Sequence, residues 1–186
     1  MIILPNQVNK NDLWVFAYAS LIWKPGFKFI EAKNARIFGY SRQLCIFSDI
    51  YRGTQETPGL VFGLDKGGSC WGRALRVESA LVQKTLRYLD NREMIDNVYY
   101  PTIVIAEFDG IKVPSLTFVV NRSHNKFTGK LDQNDIIRYI LQGQGCSGSC
   151  VEYVDNTNRC LQSFGIHDKK LKTLMPMIEA HLHAKK

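Results

Sequence analysis

The order of its periodic segments constrains the fold of this 186-residue chain more than any other feature. Short apolar or alternating runs, which are typical of β-strands, fill most of the chain up to residue 120, and helical spacing dominates afterwards. Asp109-Gly110 separates two strand patterns, 102–108 and 112–120, and predicts a tight hairpin turn. Strands first and helices gathered late favour an α+β fold: a mainly antiparallel sheet or small β-barrel flanked by helices.

Several elements within this order can be predicted one by one. A buried strand is expected at 13–17 and a long or broken strand at 35–46. The stretches 60–64 and 70–77 flank Lys66-Gly67-Gly68, which predicts a second hairpin. A helix is expected from Ser79, as its N-cap, to about Arg92, with an apolar face of Leu81, Thr85, Leu86 and Leu89. The later helices are predicted at 132–142, 150–164 and 168–181.

Composition and charge exclude several classes of function. No apolar run approaches the roughly 20 residues of a membrane helix, and the N-terminus does not resemble a signal peptide. We therefore expect a cytoplasmic protein with no membrane partner. The 24 Lys and Arg residues exceed the 17 Asp and Glu residues, which gives a net charge of +7. These basic residues are dispersed and show no repeat with aromatic residues, so we expect no nucleic-acid partner.

The cysteines indicate neither a disulfide framework nor a metal site. The chain has an odd number of them, with no C-x-x-C motif: Cys45, Cys70, Cys146, Cys150 and Cys160. Cys146 and Cys150 could share a helix face, but no His or further Cys is near enough in sequence to complete a tetrahedral zinc site. We expect no bound metal.

One motif resembles a dinucleotide-binding loop in its letters alone. Residues 143–148, Gly-Gln-Gly-Cys-Ser-Gly, match G-x-G-x-x-G. That motif binds pyrophosphate when it follows a strand and opens a helix, whereas here a helix precedes it and no alternating β-α-β pattern surrounds it. We interpret these glycines as a tight turn between two helices, with a ligand beside it as an open alternative.

Three further features could carry chemistry, and each has a plainer alternative. Tyr18-Ala19-Ser20-Leu21 ends a buried strand, where consecutive N–H groups can converge on an anion, although an ordinary turn is the commoner explanation. Glu93 follows an amphipathic helix, where a carboxylate is usually just solvated. Arg52 in a polar loop could clamp a carboxylate or simply be exposed. No Ser-His-Asp or Cys-His arrangement is evident.

Several short matches, all in the same order, give the chain a family resemblance over residues 14–174. The main one is Trp-Val-Phe-Ala-Tyr-Ala-Ser-Leu-Ile-Trp-Lys-Pro-Gly-Phe at 14–27, where the family has a G-Y-G-S-L-I-W loop. The others are Gly-Tyr-Ser-Arg at 39–42, Tyr-Arg-Gly-Thr at 51–54 with Pro-Gly at 58–59, Cys-Trp-Gly at 70–72, Tyr-Leu-Asp-Asn-Arg-Glu-Met at 88–94, Thr-Phe-Val-Val-Asn at 117–121, Ser-Gly at 147–148 and Glu-Tyr at 152–153. The chain resembles the ChaC-like γ-glutamylcyclotransferases.

The resemblance implies a lyase that cleaves glutathione to 5-oxoproline and cysteinylglycine by attack of the substrate's own α-amine. It implies Glu93 as the general base and then acid, in a partly apolar environment that raises its pKa. It implies that the substrate is bound by Ala17, Tyr18, Ala19, Ser20, Leu21, Ile22, Arg52 and Tyr153. Among these, Arg52 and Tyr153 are candidates for carboxylate contact and pocket polarity. It implies no cofactor and no metal. We expect one domain over residues 1–186, with 1–12 as an N-terminal extension, and favour a monomer.

The sequence departs from the family pattern beside the loop tyrosine. Ala17 and Ala19 stand where the family has glycines, and a methyl group there restricts φ and narrows the expected pocket. Tyr51 stands where the family often has His. Two rival hypotheses come from other classes: a non-catalytic module that binds a γ-glutamyl metabolite or a protein, and a basic RNA-binding domain supported by the net charge alone.

Overall fold

The computed structural model describes residue 2 and residues 11–184, so most of the predicted N-terminal extension, residues 1 and 3–10, lies outside the described residues. The strands are β1 (Leu13–Ala17), β2 (Glu31–Ser48), β3 (Gly59–Val77), β4 (Tyr99–Phe108), β5 (Ile111–Val120), β6 (Gln144–Gly145) and β7 (Gly148–Ser149). The helices are α1 (Ser20–Trp23), α2 (Val82–Glu93), α3 (Gln133–Gln142), α4 (Cys150–Ser163) and α5 (Lys169–His183). Short 3₁₀ turns cover Ser79–Leu81 and Ile95–Asn97.

Five strands form a closed barrel in the order β1-β3-β2-β4-β5. The neighbours β1 and β3, β2 and β4, and β4 and β5 are antiparallel, whereas β1 and β3 each make a short parallel pairing with β5. Asp109 and Gly110 make the β4–β5 turn with φ of 50° and 74°, as their sequence predicts. The expected mainly antiparallel α+β fold is therefore confirmed.

The chain divides into two compact units, each with its own apolar core. The first comprises Met1–Arg42 and Gly63–His124, and its fully buried side chains include Phe16, Ile37 and Phe118. The second comprises Gln43–Phe62 and Asn125–Lys186, and its fully buried side chains include Leu60, Ile140, Leu161 and Leu171. Strands β2 and β3 each pass from one unit into the other along the chain.

The predicted hairpin at Lys66-Gly67-Gly68 is wrong. Residues 59–77 form one continuous strand, β3, with Gly67 and Gly68 inside it at φ of 98° and 76°. Glycine adopts positive φ without a Cβ clash, so a Gly-Gly pair also suits an irregularity inside a strand. The spacing between the two apolar stretches does not distinguish these cases.

The start of α2 also differs from the prediction, whereas the later helix boundaries agree closely. Ser79 opens a 3₁₀ turn and its N–H donates to Asp12 Oδ1 at 2.8 Å, so it is not the α-helix N-cap. The buried face of α2 therefore contains Val82 rather than Leu81. Asp168 caps α5 as predicted, by accepting from two backbone N–H groups. Among the described residues, no helix is both long and apolar enough to cross a membrane.

Candidate active site

Glu93 is the last residue of α2, and its carboxylate is largely withdrawn from solvent. The side chain is 15% exposed, and Arg92 Nε lies 3.0 Å from Oε1. Burial raises the pKa of Glu93, while the charge and hydrogen bond of Arg92 oppose that rise. The negative end of the helix dipole acts in the same direction as burial. The carboxyl group thus has the properties of a proton acceptor that works closer to neutral pH than an ordinary glutamate.

The two carboxylate oxygens of Glu93 have different surroundings. Oε1 accepts from Arg92, whereas Oε2 has no hydrogen-bond partner among the described residues. A general base needs one oxygen within reach of the proton it removes. Oε2 therefore keeps its capacity to accept a hydrogen bond or a proton.

The loop that follows β1 is held by two buried backbone contacts. The Tyr18 hydroxyl donates to the Phe118 carbonyl at 3.0 Å, and the Tyr18 carbonyl accepts from Arg42 Nε at 2.6 Å. Arg42 Nη2 donates to the Trp71 carbonyl at 2.6 Å. The sequence identified Tyr18 but missed Arg42 as its support, because its partners are backbone carbonyls distant in the chain.

Most of the other residues predicted to bind substrate in this loop have buried side chains, so their backbone groups are the candidates for a substrate contact. The side chains of Leu21 and Ile22 are buried, and the Ile22 N–H already donates to the Ala19 carbonyl at 2.8 Å. Ala19 has φ of −140°, so the backbone uses no positive φ where the family has glycine. Ala17 is fully buried, and a Cβ added to Gly72 would lie 2.3 Å from its carbonyl oxygen. This contact explains why position 72 is glycine.

The structure links Ser20 of this loop to Glu93 through Arg92. Arg92 Nη2 donates to Ser20 Oγ at 3.0 Å, while its Nε contacts the carboxylate. Arg92 precedes Glu93 in the sequence, but no role was predicted for it. The four-residue spacing from Tyr88, which puts both side chains on one helix face, is the sequence pattern that could have identified the pair.

Arg52 and Tyr153, the remaining candidates, lie together in the second unit. The Arg52 side chain is 9% exposed, and its Nη1 donates to the Ser149 carbonyl at 3.1 Å and lies 3.5 Å from Glu152 Oε2. The guanidinium carbon lies 5.4 Å from the centroid of the Tyr153 ring. The Tyr153 hydroxyl accepts from the Phe62 N–H at 3.1 Å. Arg52 is thus buried and partly paired, not the exposed arginine of the plainer alternative.

The glycines at 143–148 pack against the backbone that carries Arg52. A Cβ on Gly143 would lie 2.4 Å from the Arg52 carbonyl oxygen, and one on Gly145 would lie 2.4 Å from the Tyr51 carbonyl carbon. Gly148 has φ of 101°, a conformation that other residues rarely adopt. The expected turn between two helices is confirmed, and these contacts explain its glycines by close backbone packing.

The cysteine thiols and acidic side chains do not form a reactive thiol site or a metal site among the described residues. Cys150 Sγ donates to the Leu60 carbonyl at 3.0 Å, and burial raises its pKa to about 11, so it stays protonated at neutral pH. The five cysteines, all within residues 11–184, form no disulfide with one another. Among the described residues, no group of three or more His, Cys, Asp or Glu side chains is placed to hold a metal ion.

The chain is similar to known proteins that belong to one family. The family model of ChaC-like proteins matches residues 13–181. The glutathione-specific γ-glutamylcyclotransferase 1 of Danio rerio is 31% identical over 78% of this chain and 76% of its own length. The glutathione-specific γ-glutamylcyclotransferase of Escherichia coli strain K12 is 27% identical over 92% of this chain and 74% of that protein.

The fold has a close counterpart among solved structures. The crystal structure of a selenomethionine-labelled γ-glutamylcyclotransferase specific to glutathione from yeast superposes with a TM-score of 0.82. It is 21% identical, and the match covers 91% of this chain and 96% of that one. This similarity confirms the predicted γ-glutamylcyclotransferase-like fold.

Proposed function

Because the chain belongs to the ChaC-like family, we propose that it is a γ-glutamylcyclotransferase acting on glutathione. In this lyase reaction the substrate's α-amine nitrogen bonds to its own γ-glutamyl carbonyl carbon. The bond from that carbon to the cysteine nitrogen breaks, and the products are 5-oxoproline and cysteinylglycine. The α-ammonium nitrogen loses two protons on becoming the ring N–H, and the leaving nitrogen gains two on becoming an ammonium, so the reaction balances without water or a cofactor.

The observation that carries this proposal is the buried carboxylate of Glu93. Ring closure to five members is favoured by proximity, so the protein must fold the substrate and move a proton. Burial raises the pKa of Glu93 and the Arg92 contact opposes that rise, and in this proposal the carboxyl group takes a proton from the α-ammonium and delivers one to the leaving nitrogen. One carboxyl group in two protonation states performs both steps.

The Tyr18–Ile22 loop is proposed to bind the γ-glutamyl end and the oxyanion that develops on its carbonyl. This assignment is supported by the two contacts that hold the Tyr18 carbonyl and hydroxyl, because an oxyanion site requires fixed donors. The Ile22 N–H is occupied by the Ala19 carbonyl. The hydrogen-bond donor to the oxyanion must therefore come from another position in this loop, and the Ser20 hydroxyl is a candidate.

Arg52 and Tyr153 stay predictions for substrate contact. Among the described residues, Nε and Nη2 of Arg52 have no hydrogen-bond partner, so the guanidinium keeps donors for a carboxylate. If Arg52 holds the glycine carboxylate of glutathione, γ-glutamylalanine should have a kcat/KM roughly 10–150-fold lower than glutathione. Equal kcat/KM values for glutathione, γ-glutamylcysteine and γ-glutamylalanine would instead indicate a general γ-glutamylcyclotransferase.

The activity is tested by incubating the protein with glutathione and measuring 5-oxoproline and cysteinylglycine by mass spectrometry. The expected result is stoichiometric formation of both products by the wild-type chain and very little by Glu93→Gln. Glutathione binding without either product would refute the activity and favour a non-catalytic binding module. No binding and no product would exclude both.

The proposal also covers the domain organisation, the oligomeric state and the location of the protein. We propose a single family domain with no partner other than its small-molecule substrate, and a monomer. We propose a cytoplasmic location, because the odd number of cysteines in the sequence does not suggest the disulfide framework of a secreted protein. Size-exclusion chromatography with light scattering tests the oligomeric state.

A further inference from the structure

Glu93 has a neighbour that the proton transfer itself does not use, the guanidinium of Arg92. Its Nε lies 3.0 Å from Glu93 Oε1, and its Nη2 donates to Ser20 Oγ at 3.0 Å. Its Nη1 donates to the Lys24 carbonyl at 2.7 Å. Ser20 opens α1 and Lys24 follows its last residue. One side chain therefore contacts both ends of this short helix and the carboxylate.

Tyr88 fixes the guanidinium from one turn earlier on α2. Arg92 Nη1 also donates to the Tyr88 hydroxyl at 2.7 Å. That hydroxyl packs closely on the loop after α1, since a Cβ added to Gly26 would lie 1.9 Å from it. A guanidinium is planar and its donors have fixed directions, so these contacts together set a single orientation. A lysine could replace the charge but not this set of directions.

We propose that Arg92 is a positioning residue, which holds the Glu93 carboxylate in register with the Ser20–Lys24 segment and leaves Oε2 to exchange the proton. The role in turnover rests on the proposed function. The physical link between Arg92, Glu93 and α1 does not. An arginine with a structural role alone would not need to contact a carboxylate that titrates.

The link has an electrostatic consequence. The titratable side chains of α2, of the turn after it and of the residue that follows α1 are Lys24, Lys84, Arg87, Tyr88, Asp90, Arg92, Glu93 and Asp96. Of these, Arg92 contacts the Glu93 carboxylate and lowers its pKa against the effect of burial. Removing that charge should raise the Glu93 pKa further, because the burial of the carboxylate would no longer be opposed by the Arg92 charge.

The test compares Arg92→Gln, Arg92→Lys and the control Arg87→Gln, which removes the same charge from an exposed position on α2. Carboxyl ¹³C NMR gives the Glu93 pKa without turnover, and 5-oxoproline formation gives kcat and KM. Arg92→Gln should raise the Glu93 pKa and lower kcat. Arg92→Lys should leave that pKa near the wild-type value yet lower kcat at least about tenfold, the loss expected of a misplaced base. Arg87→Gln should match the wild type.

An unchanged Glu93 pKa in Arg92→Gln would overturn the inference, and so would a wild-type kcat in Arg92→Lys. If Arg92→Gln does not fold, Tyr88→Phe removes one acceptor and keeps the ring. It should lower kcat with little change in the Glu93 pKa, and a wild-type kcat in this variant would also count against the inference. Absence of 5-oxoproline from the wild-type protein would refute the proposed function alone, since the titration still decides the Arg92–Glu93 link.

Discussion

Two arginine–glutamate pairs, one in each compact unit, differ in how far the glutamate is shielded from solvent. In the Arg92–Glu93 pair both side chains are largely shielded, 21% and 15% exposed, at a distance of 3.0 Å. In the Arg52–Glu152 pair the arginine is 9% exposed, its glutamate is 57% exposed, and the distance is 3.5 Å. The same two residue types therefore produce two different electrostatic environments.

The difference lies in how each buried group can respond. A buried carboxylate relieves its desolvation cost by taking a proton, and this is why burial raises the Glu93 pKa. A guanidinium does not lose its proton in proteins, so Arg52 must keep polar contacts permanently. It has the Ser149 carbonyl, the Glu152 carboxylate and the face of the Tyr153 ring. The first pair is suited to proton exchange, and the second supplies a fixed positive charge.

The largest expected effect separates the two glutamates. Glu93→Gln keeps size and hydrogen bonding but removes the base, so kcat should fall by about 10²–10⁴-fold. The matched change Glu152→Gln removes an exposed carboxylate, whose ion pair contributes less than about 1 kcal/mol. Its kcat should stay within a few-fold of the wild type. Comparable losses in both variants would erase the distinction between the pairs.

A large effect on stability is expected around Arg52, where backbone segments touch. In Gly143→Ala the new Cβ would lie 2.4 Å from the Arg52 carbonyl oxygen and 2.6 Å from Gly59 Cα. Backbone cannot move aside as a flexible side chain does, so the free energy of unfolding should fall by about 1–3 kcal/mol or more. Denaturant unfolding measures the loss.

The control for this change is Gly129→Asn. A Cβ at Gly129 meets nothing within 4 Å, and asparagine tolerates its φ of 65°. This variant should lose much less stability than Gly143→Ala. Equal losses would show that the packing beside Arg52 is no tighter than an open turn.

A smaller effect is expected at Ala19, in the Glu93 region. Ala19→Gly restores the family residue and should lower the free energy of unfolding by up to about 1 kcal/mol, the entropic cost of glycine. Removing the buried methyl group should leave glutathione binding equal or tighter, measured by calorimetry in the Glu93→Gln background to prevent turnover. Weaker binding would indicate that the loop is built around the alanine.

The smallest expected effect is a pH dependence of stability that comes from Glu93. Because the Glu93 pKa is raised in the folded state, its contribution to stability is fully present below the unfolded-state pKa of about 4.3 and is lost as pH rises through the folded-state pKa. Relative to Glu93→Gln, the wild-type Tm should therefore decline as pH rises through that window. A difference in Tm that does not change with pH would contradict the raised pKa.

The sequence predicted local features of both regions better than their long-range contacts. The Asp109-Gly110 turn and the Asp168 cap depend on neighbours in the chain, and both were predicted correctly. Arg42 donates to the Tyr18 carbonyl, and the Ser149 carbonyl accepts from Arg52. These partners are distant in sequence, so periodicity cannot indicate them. The error at Gly67-Gly68 has the same origin, since pairing partners decide whether two glycines turn a strand or lie within it.

The proposed site shows the same division. Glu93 and the residues after β1 were candidates from their sequence context alone, each with a plainer alternative, and the resemblance to a family gave them their predicted roles. The burial of Glu93, the direction of its pKa change and the link through Arg92 to Ser20 all depend on tertiary packing. No pattern in residues 88–94 alone specifies how deeply the carboxylate is buried.

The pH dependence of kcat/KM for glutathione tests the central claim, that a buried Glu93 carries the proton, most directly. A general base acts only when ionised, so activity should fall as pH decreases through the Glu93 pKa, above the ordinary glutamate value of about 4.3. The same decline should appear in Glu152→Gln and be absent from the residual activity of Glu93→Gln. A decline that persists unchanged in Glu93→Gln would contradict the account, because another group would then be the base.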